Sequence, residues 1–149
     1  MSEAPTRPVP AVTREMAPFW DAARRHQLVV QRCEDCGALR FPAREVCSRC
    51  LSRRAGWQPV SGRGTVFSVA VMHQANHPAF AAEAPYAVVV VELEEGVRIV
   101  SSIVDVPARE IPIGLPVEVV FDDVTPEITL PRFATRAGPS SRPGCPGPP

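Results

Sequence analysis

Four cysteines place the tightest constraint on this chain. They stand as Cys33-x-x-Cys36 and, after ten residues, Cys47-x-x-Cys50. A C-x-x-C turn converges two sulfurs on one cation, and two such turns in one short unit complete a tetrahedral S₄ shell. Gly37, directly after the first pair, supplies the positive-φ freedom such a turn needs, whereas Leu51 holds the equivalent place after the second. A unit this short has almost no core of its own. The metal is therefore expected to carry its folding, since apparent binding energies of structural zinc are about 10–16 kcal/mol. Zinc is the favoured ion, one per chain, although S₄ iron is chemically possible and sequence does not fully separate the two. Paired disulfides suit a secreted chain, and no signal-peptide pattern opens this one. A thioredoxin-like centre needs one C-x-x-C beside a βαβ unit, which is not expected here. Four thiolates close the shell, so the ion is structural and cannot activate water. Cys145, among prolines and glycines, stands outside the site.

Proline and glycine gather at the ends. Six of the eighteen prolines and three of the nine glycines fall between Pro131 and Pro149, and Pro5, Pro8 and Pro10 punctuate the start. Such segments bury no apolar face, so residues 1–12 are expected to be a flexible leader and 134–149 a disordered, dispensable tail. The residues between them hold enough Val, Ile, Leu and Phe for a core.

Thr13 to His26 suits a helix interrupted or restarted at Pro18, with Arg24, Arg25 and His26 near its negative end. Leu28–Gln31 is a short strand leading into the cysteines. From Ser61 the reading is all-β. Thr65–Met72 is rich in β-branched residues, and Tyr86–Leu93 is so continuously apolar that burial on both faces is expected. Glu94-Glu95-Gly96 turns into Val97–Val104, and Pro116–Asp122 alternates. Five short strands at irregular spacing fit a small Greek-key barrel of the OB type better than a sandwich, which needs about seven. The fold class expected is mainly β: an N-terminal helical segment, the cysteine unit, then the barrel.

Charge divides the chain. Residues 1–64 carry eleven arginines against six acids, and residues 65–130 carry Arg98 and Arg109 against ten. The first half suits an anionic partner; the second repels a nucleic-acid backbone. Nucleic-acid binding is the main rival function, because OB-folds serve it, but Phe67, Tyr86 and Phe121 lie on strands where packing accounts for them. All sixteen basic residues are Arg, which excludes a lysine Schiff base and a P-loop lysine. Neither G-x-S-x-G nor H-E-x-x-H occurs, His73 and His77 lie in a Pro-containing loop, and no nucleophile, base and oxyanion hole assemble. No apolar run approaches the ~20 residues of a membrane span. A cytoplasmic chain without catalysis of its own is expected.

The order of motifs resembles a known family. Phe19-Trp20 on a helix precedes C-x-x-C-G, Phe41-Pro42-x-Arg44, C-x-x-C, Trp57, Ser61-Gly62-x-Gly64, Pro85-Tyr86, Glu95-Gly96, Ile113-Gly114 and Pro131-x-Phe133. This is similar to the acyl-CoA-associated proteins (domain of unknown function thirty-five) that join a rubredoxin-like zinc ribbon to an OB-fold. The resemblance implies a helical segment and lead-in strand over 13–31, a zinc ribbon over 32–57 and a barrel over 58–133. It implies an accessory subunit in a hetero-oligomer with a thiolase-fold enzyme (a ketothiolase, sterol-carrier-type thiolase or aldolase) or a related acyl-CoA enzyme of lipid metabolism. Such a subunit stabilises its partner and helps bind or channel acyl-CoA, whose phosphates suit arginine. Arg40, Arg44 and Arg63 are the candidate phosphate contacts, and Phe19 and Trp20 the candidate docking residues.

Overall fold

The computed structural model describes residues 6–137. One helix, α1 (Ala17–Arg24), precedes two antiparallel sheets. Phe19, Ala22 and Ala23 recur at helical spacing and form its buried stripe. Pro18 sits in its first turn, where a missing N–H is no loss, so the proline lies at the helix start and does not break it. Its end is a Schellman motif: the amides of His26 and Gln27 donate to the carbonyls of Ala23 and Ala22, with His26 left-handed at φ 55°.

The first sheet centres on β1 (Val29–Cys33), flanked by β2 (Leu39–Arg40) and β3 (Ala55–Pro59). The strand over Ala55–Pro59 has no clear sequence signal, and it crosses the division expected between residues 57 and 58. The second sheet contains β4 (Arg63–Met72), β5 (Tyr86–Leu93), β6 (Arg98–Ser101), β7 (Pro116–Asp123) and β8 (Thr129–Thr135), in the order β6-β5-β4-β7-β8. It curls until the chain after β6 meets β8 in parallel. Phe133 donates to the Ser102 carbonyl at 3.0 Å and accepts from Val104 at 2.9 Å. This is the expected OB-type barrel.

Its strands differ in detail from expectation. The returning strand is shorter, Arg98–Ser101, and β8 is an additional strand that carries Pro131 within it. The proline is tolerated because β8 pairs through its whole length with β7, while Pro131 needs only to accept. The barrel also runs past Phe133: Ala134 and Thr135 pair with Glu118 and Val117, and Arg136 donates to Pro116. The rest of the expected tail, with Cys145, lies outside the described residues, as do residues 1–5 of the leader. Within β5, Val89, Val91 and Leu93 are buried but Val88 and Val90 only half so. Burial on both faces is thus corrected to an inner face packed in the core and an outer face only partly covered.

Both sheets share one core. Val66, Val89, Val91, Val117 and Phe133 from the barrel join Val30 and Phe19 from the N-terminal unit, and every one of them is at most 3% exposed. The barrel turn also explains two motif glycines. A Cβ on Gly64 would stand 2.3 Å from the Glu92 carbonyl oxygen, and one on Gly62 2.3 Å from Val119 Cγ1.

Candidate metal centre and partner surfaces

The two C-x-x-C turns are near copies. Cys33 N–H donates to the Ala38 carbonyl and Gly37 N–H to Cys33; Cys47 N–H donates to Ser52 and Leu51 N–H to Cys47. Gly37 has φ 72° and Leu51 φ 61°, so Leu51 adopts the left-handed conformation that glycine gives the first turn. An L-residue held there costs about 1–2 kcal/mol. The sequence marked this position as a departure from symmetry, and the backbone restores the symmetry at that cost.

All four Sγ atoms lie within 4.8 Å of one another, with Cys33–Cys50 at 3.5 Å and Cys36–Cys47 at 3.6 Å. Those separations are too long for disulfide bonds. They suit the ~3.8 Å edge of a tetrahedron with metal–sulfur bonds of about 2.3 Å. Cys33 and Cys47 are buried while Cys36 and Cys50 reach solvent. The Cys36 amide, followed by that of Asp35, holds the Cys33 thiol down at about 6, and the amides of Arg49 and Cys50 lower Cys47. Cys50 is favoured as thiolate by the Ser52 amide, yet burial and the neighbouring sulfurs push it up to about 12. Backbone amides thus prepare some thiolates while the last is opposed by its fellows. A divalent cation at the centre removes that opposition, so the donor set fits a metal.

The candidate arginines fall in different surroundings. The Arg40 guanidinium is turned inward, Nε to Gln31 Oε1 and Nη2 to the Arg44 carbonyl, with Nη1 buried. The side chain of Arg44 is exposed and has no carboxylate within ion-pair distance among the described residues. Arg63 pairs with Glu94 at 3.3 Å. Phe19 is 3% exposed, locked between Trp20 and Phe41 at ring separations of 5.0 and 5.1 Å. Trp20 is half-buried beside it.

Other positions acquire roles that spacing did not reveal. Glu95 accepts from the Ser61 amide at 2.7 Å and so ties the turn after β5 to the entry of β4. His77 caps the 3₁₀ helix Pro78–Glu83 by accepting from Ala79. Phe67 is not packed in the core: a β-bulge between Val66 and Ser68 turns it outward, 46% exposed, under the Arg98 guanidinium 3.6 Å from its ring centre. A bulge shifts every side chain after it, and alternation alone does not show where it falls.

A helix-led metal ribbon fused to an OB-type barrel defines the class. Residues 20–55 match the family described as ChsH2, rubredoxin-like zinc ribbon domain, and residues 57–122 match ChsH2, C-terminal OB-fold domain. A DUF35 domain-containing scaffold protein of Methanocaldococcus jannaschii is 40% identical over 99 residues, 65% of this chain and 69% of that protein. The chain belongs to this ChsH2/DUF35 family. A probable enoyl-CoA hydratase alpha subunit of Thermomonospora curvata is 42% identical over 127 residues, 85% of this chain but 39% of that protein. The chain therefore spans about two fifths of that relative's length. A solved chain of an Ltp2-ChsH2(DUF35) aldolase superposes with a TM-score of 0.76 at 40% identity, covering 85% of this chain and 98% of that one. No helix among the described residues is long and apolar enough to cross a membrane.

Proposed function

We propose that this chain is a cytoplasmic, non-catalytic accessory subunit. It binds a thiolase-fold enzyme (a ketothiolase, sterol-carrier-type thiolase or aldolase) or a related acyl-CoA enzyme, stabilises it and helps hold acyl-CoA. The observation that carries this reading is the match, over 85% of this chain and 98% of the other, to a chain of an Ltp2-ChsH2(DUF35) aldolase. The metal is zinc, bound by Cys33, Cys36, Cys47 and Cys50. A shell of four thiolates leaves no open position for substrate or water, so its role is to fold the ribbon.

Arg44 and Arg63 are the phosphate contacts best placed by exposure, with Arg40 holding the loop that presents Arg44. Trp20 is the docking residue with surface to offer, and Phe19 supports it from beneath. The test is co-expression with a thiolase-like protein encoded beside this chain. Co-purification of the two, lost or weakened in Trp20→Ala with zinc retained, supports the reading. Wild-type protein that ignores this partner and instead binds single-stranded nucleic acid at physiological salt overturns it, and Phe67 under Arg98 then becomes the stacking platform.

A further inference from the structure

An apolar cavity of about 440 Å³ opens beside α1, within the range of volumes that hold drug-sized molecules. Five of the nine aromatic residues line it: Phe19, Trp20, Phe41, Phe80 and Tyr86. They form two groups, one around Phe19 and one in which Phe80 and Tyr86 lie 6.0 Å apart. The charged side chains on the wall, and the Ser101 hydroxyl, already have partners. Arg132 pairs with Asp122 at 3.1 Å, Arg7 pairs with Glu83, and Ser101 donates its hydroxyl to the Pro131 carbonyl. Both arginines on the wall are ion-paired and most of the lining is apolar, so the cavity suits a neutral group better than an anion. Aromatic walls favour rings, which stack or meet edge-to-face, over straight chains that gain only area.

The leader contributes two residues to the wall of this cavity. Arg7 and Pro10 both line it, yet residues 6–9 are exposed and belong to no helix or strand. Arg7 holds the segment by its bond to Glu83 and by its guanidinium 5.7 Å from the Phe80 ring centre. An exposed ion pair and a cation–π contact are each weak, so such a latch opens readily.

We propose that this cavity binds a neutral, planar, ring-bearing apolar group, and that residues 6–12 are a strap, latched by Arg7, which slows its exchange. The inference concerns the isolated chain and does not depend on the accessory-subunit reading.

The probe is N-phenyl-1-naphthylamine, titrated into the full zinc-loaded chain. The chain has two tryptophans, so a Trp57→Phe variant leaves Trp20 as the sole energy donor to the bound dye. Saturable binding of one dye per chain with quenching of Trp20 is expected. Val100→Asp, at a wall position 63% exposed and so tolerant of change, should weaken binding about tenfold. Ile113→Arg, equally exposed but off the wall, should leave it unchanged. Competition with 1-naphthol should succeed at about a tenth of the 1-decanol concentration. Arg7→Ala should raise association and dissociation rate constants about threefold together. Non-saturable binding, or full binding in Val100→Asp, overturns the site. Preference for 1-decanol overturns the ring assignment, and unchanged rates in Arg7→Ala overturn the strap.

Discussion

His26, the left-handed residue that ends α1, lies parallel to the Phe121 ring at 5.2 Å and donates through Nε2 to Asp123, 3.1 Å from each carboxylate oxygen. Helices usually end in glycine at this position, because an L-residue there is strained. Here the side chain compensates by clamping the helix to β7. Glycine should relieve the strain as it removes the clamp, whereas alanine removes the clamp and keeps the strain. His26→Ala should therefore be less stable than His26→Gly by about 1 kcal/mol in urea denaturation. Equal stabilities would show that the backbone conformation carries no cost.

Two carboxylates give the fold an acid limit. The Thr129 hydroxyl, then His26, lowers Asp123, and the Thr135 hydroxyl and amide lower Asp105. A carboxylate lowered on folding contributes stability above its unfolded value of about 3.9, and that contribution is lost as pH falls through the folded value. The melting advantage of wild type over Asp105→Asn should be full above about pH 5 and shrink below about pH 4. Thermal melts of both proteins across this range check it; a constant difference contradicts it.

Freshly purified protein should contain one zinc per chain by elemental analysis. Cys47→Ser removes a buried ligand whose thiolate two backbone amides stabilise, so insoluble or partly unfolded protein is expected. Soluble, metal-free protein that melts with wild type would remove the metal from the folding of the ribbon.

Gly64→Ala and Gly96→Ala separate steric collision from backbone conformation. The Gly64 Cβ would meet the Glu92 carbonyl at 2.3 Å, whereas Gly96 at φ 86° has nothing within 4 Å. The first should cost at least about 2 kcal/mol and the second about 1 kcal/mol. Chemical denaturation that reverses this order would mean that β4 and β5 can part without loss.

Truncation tests where the barrel ends. Removal of everything after Phe133 deletes the Ala134 and Thr135 pairs, both Thr135 bonds to Asp105 and the Arg136 amide bond. Removal after residue 137 keeps all of them. The shorter protein should melt several degrees lower than the longer, as a loss of about 1 kcal/mol implies for a domain near this size. Coincident melts would mean that the end of β8 adds nothing.

The cysteine spacing alone foretold the ribbon and the convergence of its four sulfurs, because two tight turns that aim sulfur at one point are local geometry. The β-branched run of β4, the apolar run of β5 and the alternation of β7 likewise announced a barrel of short strands, although only the structure showed that β5 packs one face inward. Leu51, Phe67 and β8 were not legible in the same way. A leucine shows no sign of left-handedness until its neighbours' hydrogen bonds impose it, and a bulge at Phe67 exists only relative to β5. The strand over Thr129–Thr135 contains Pro131 and is recruited by a continuous partner in β7. The burial of Phe19 was decided in the same way: only the folded chain brings Phe41 and the barrel core to the helix. Local turn chemistry is written in neighbouring residues, whereas burial and pairing depend on contacts between residues far apart in the chain, which no short window contains.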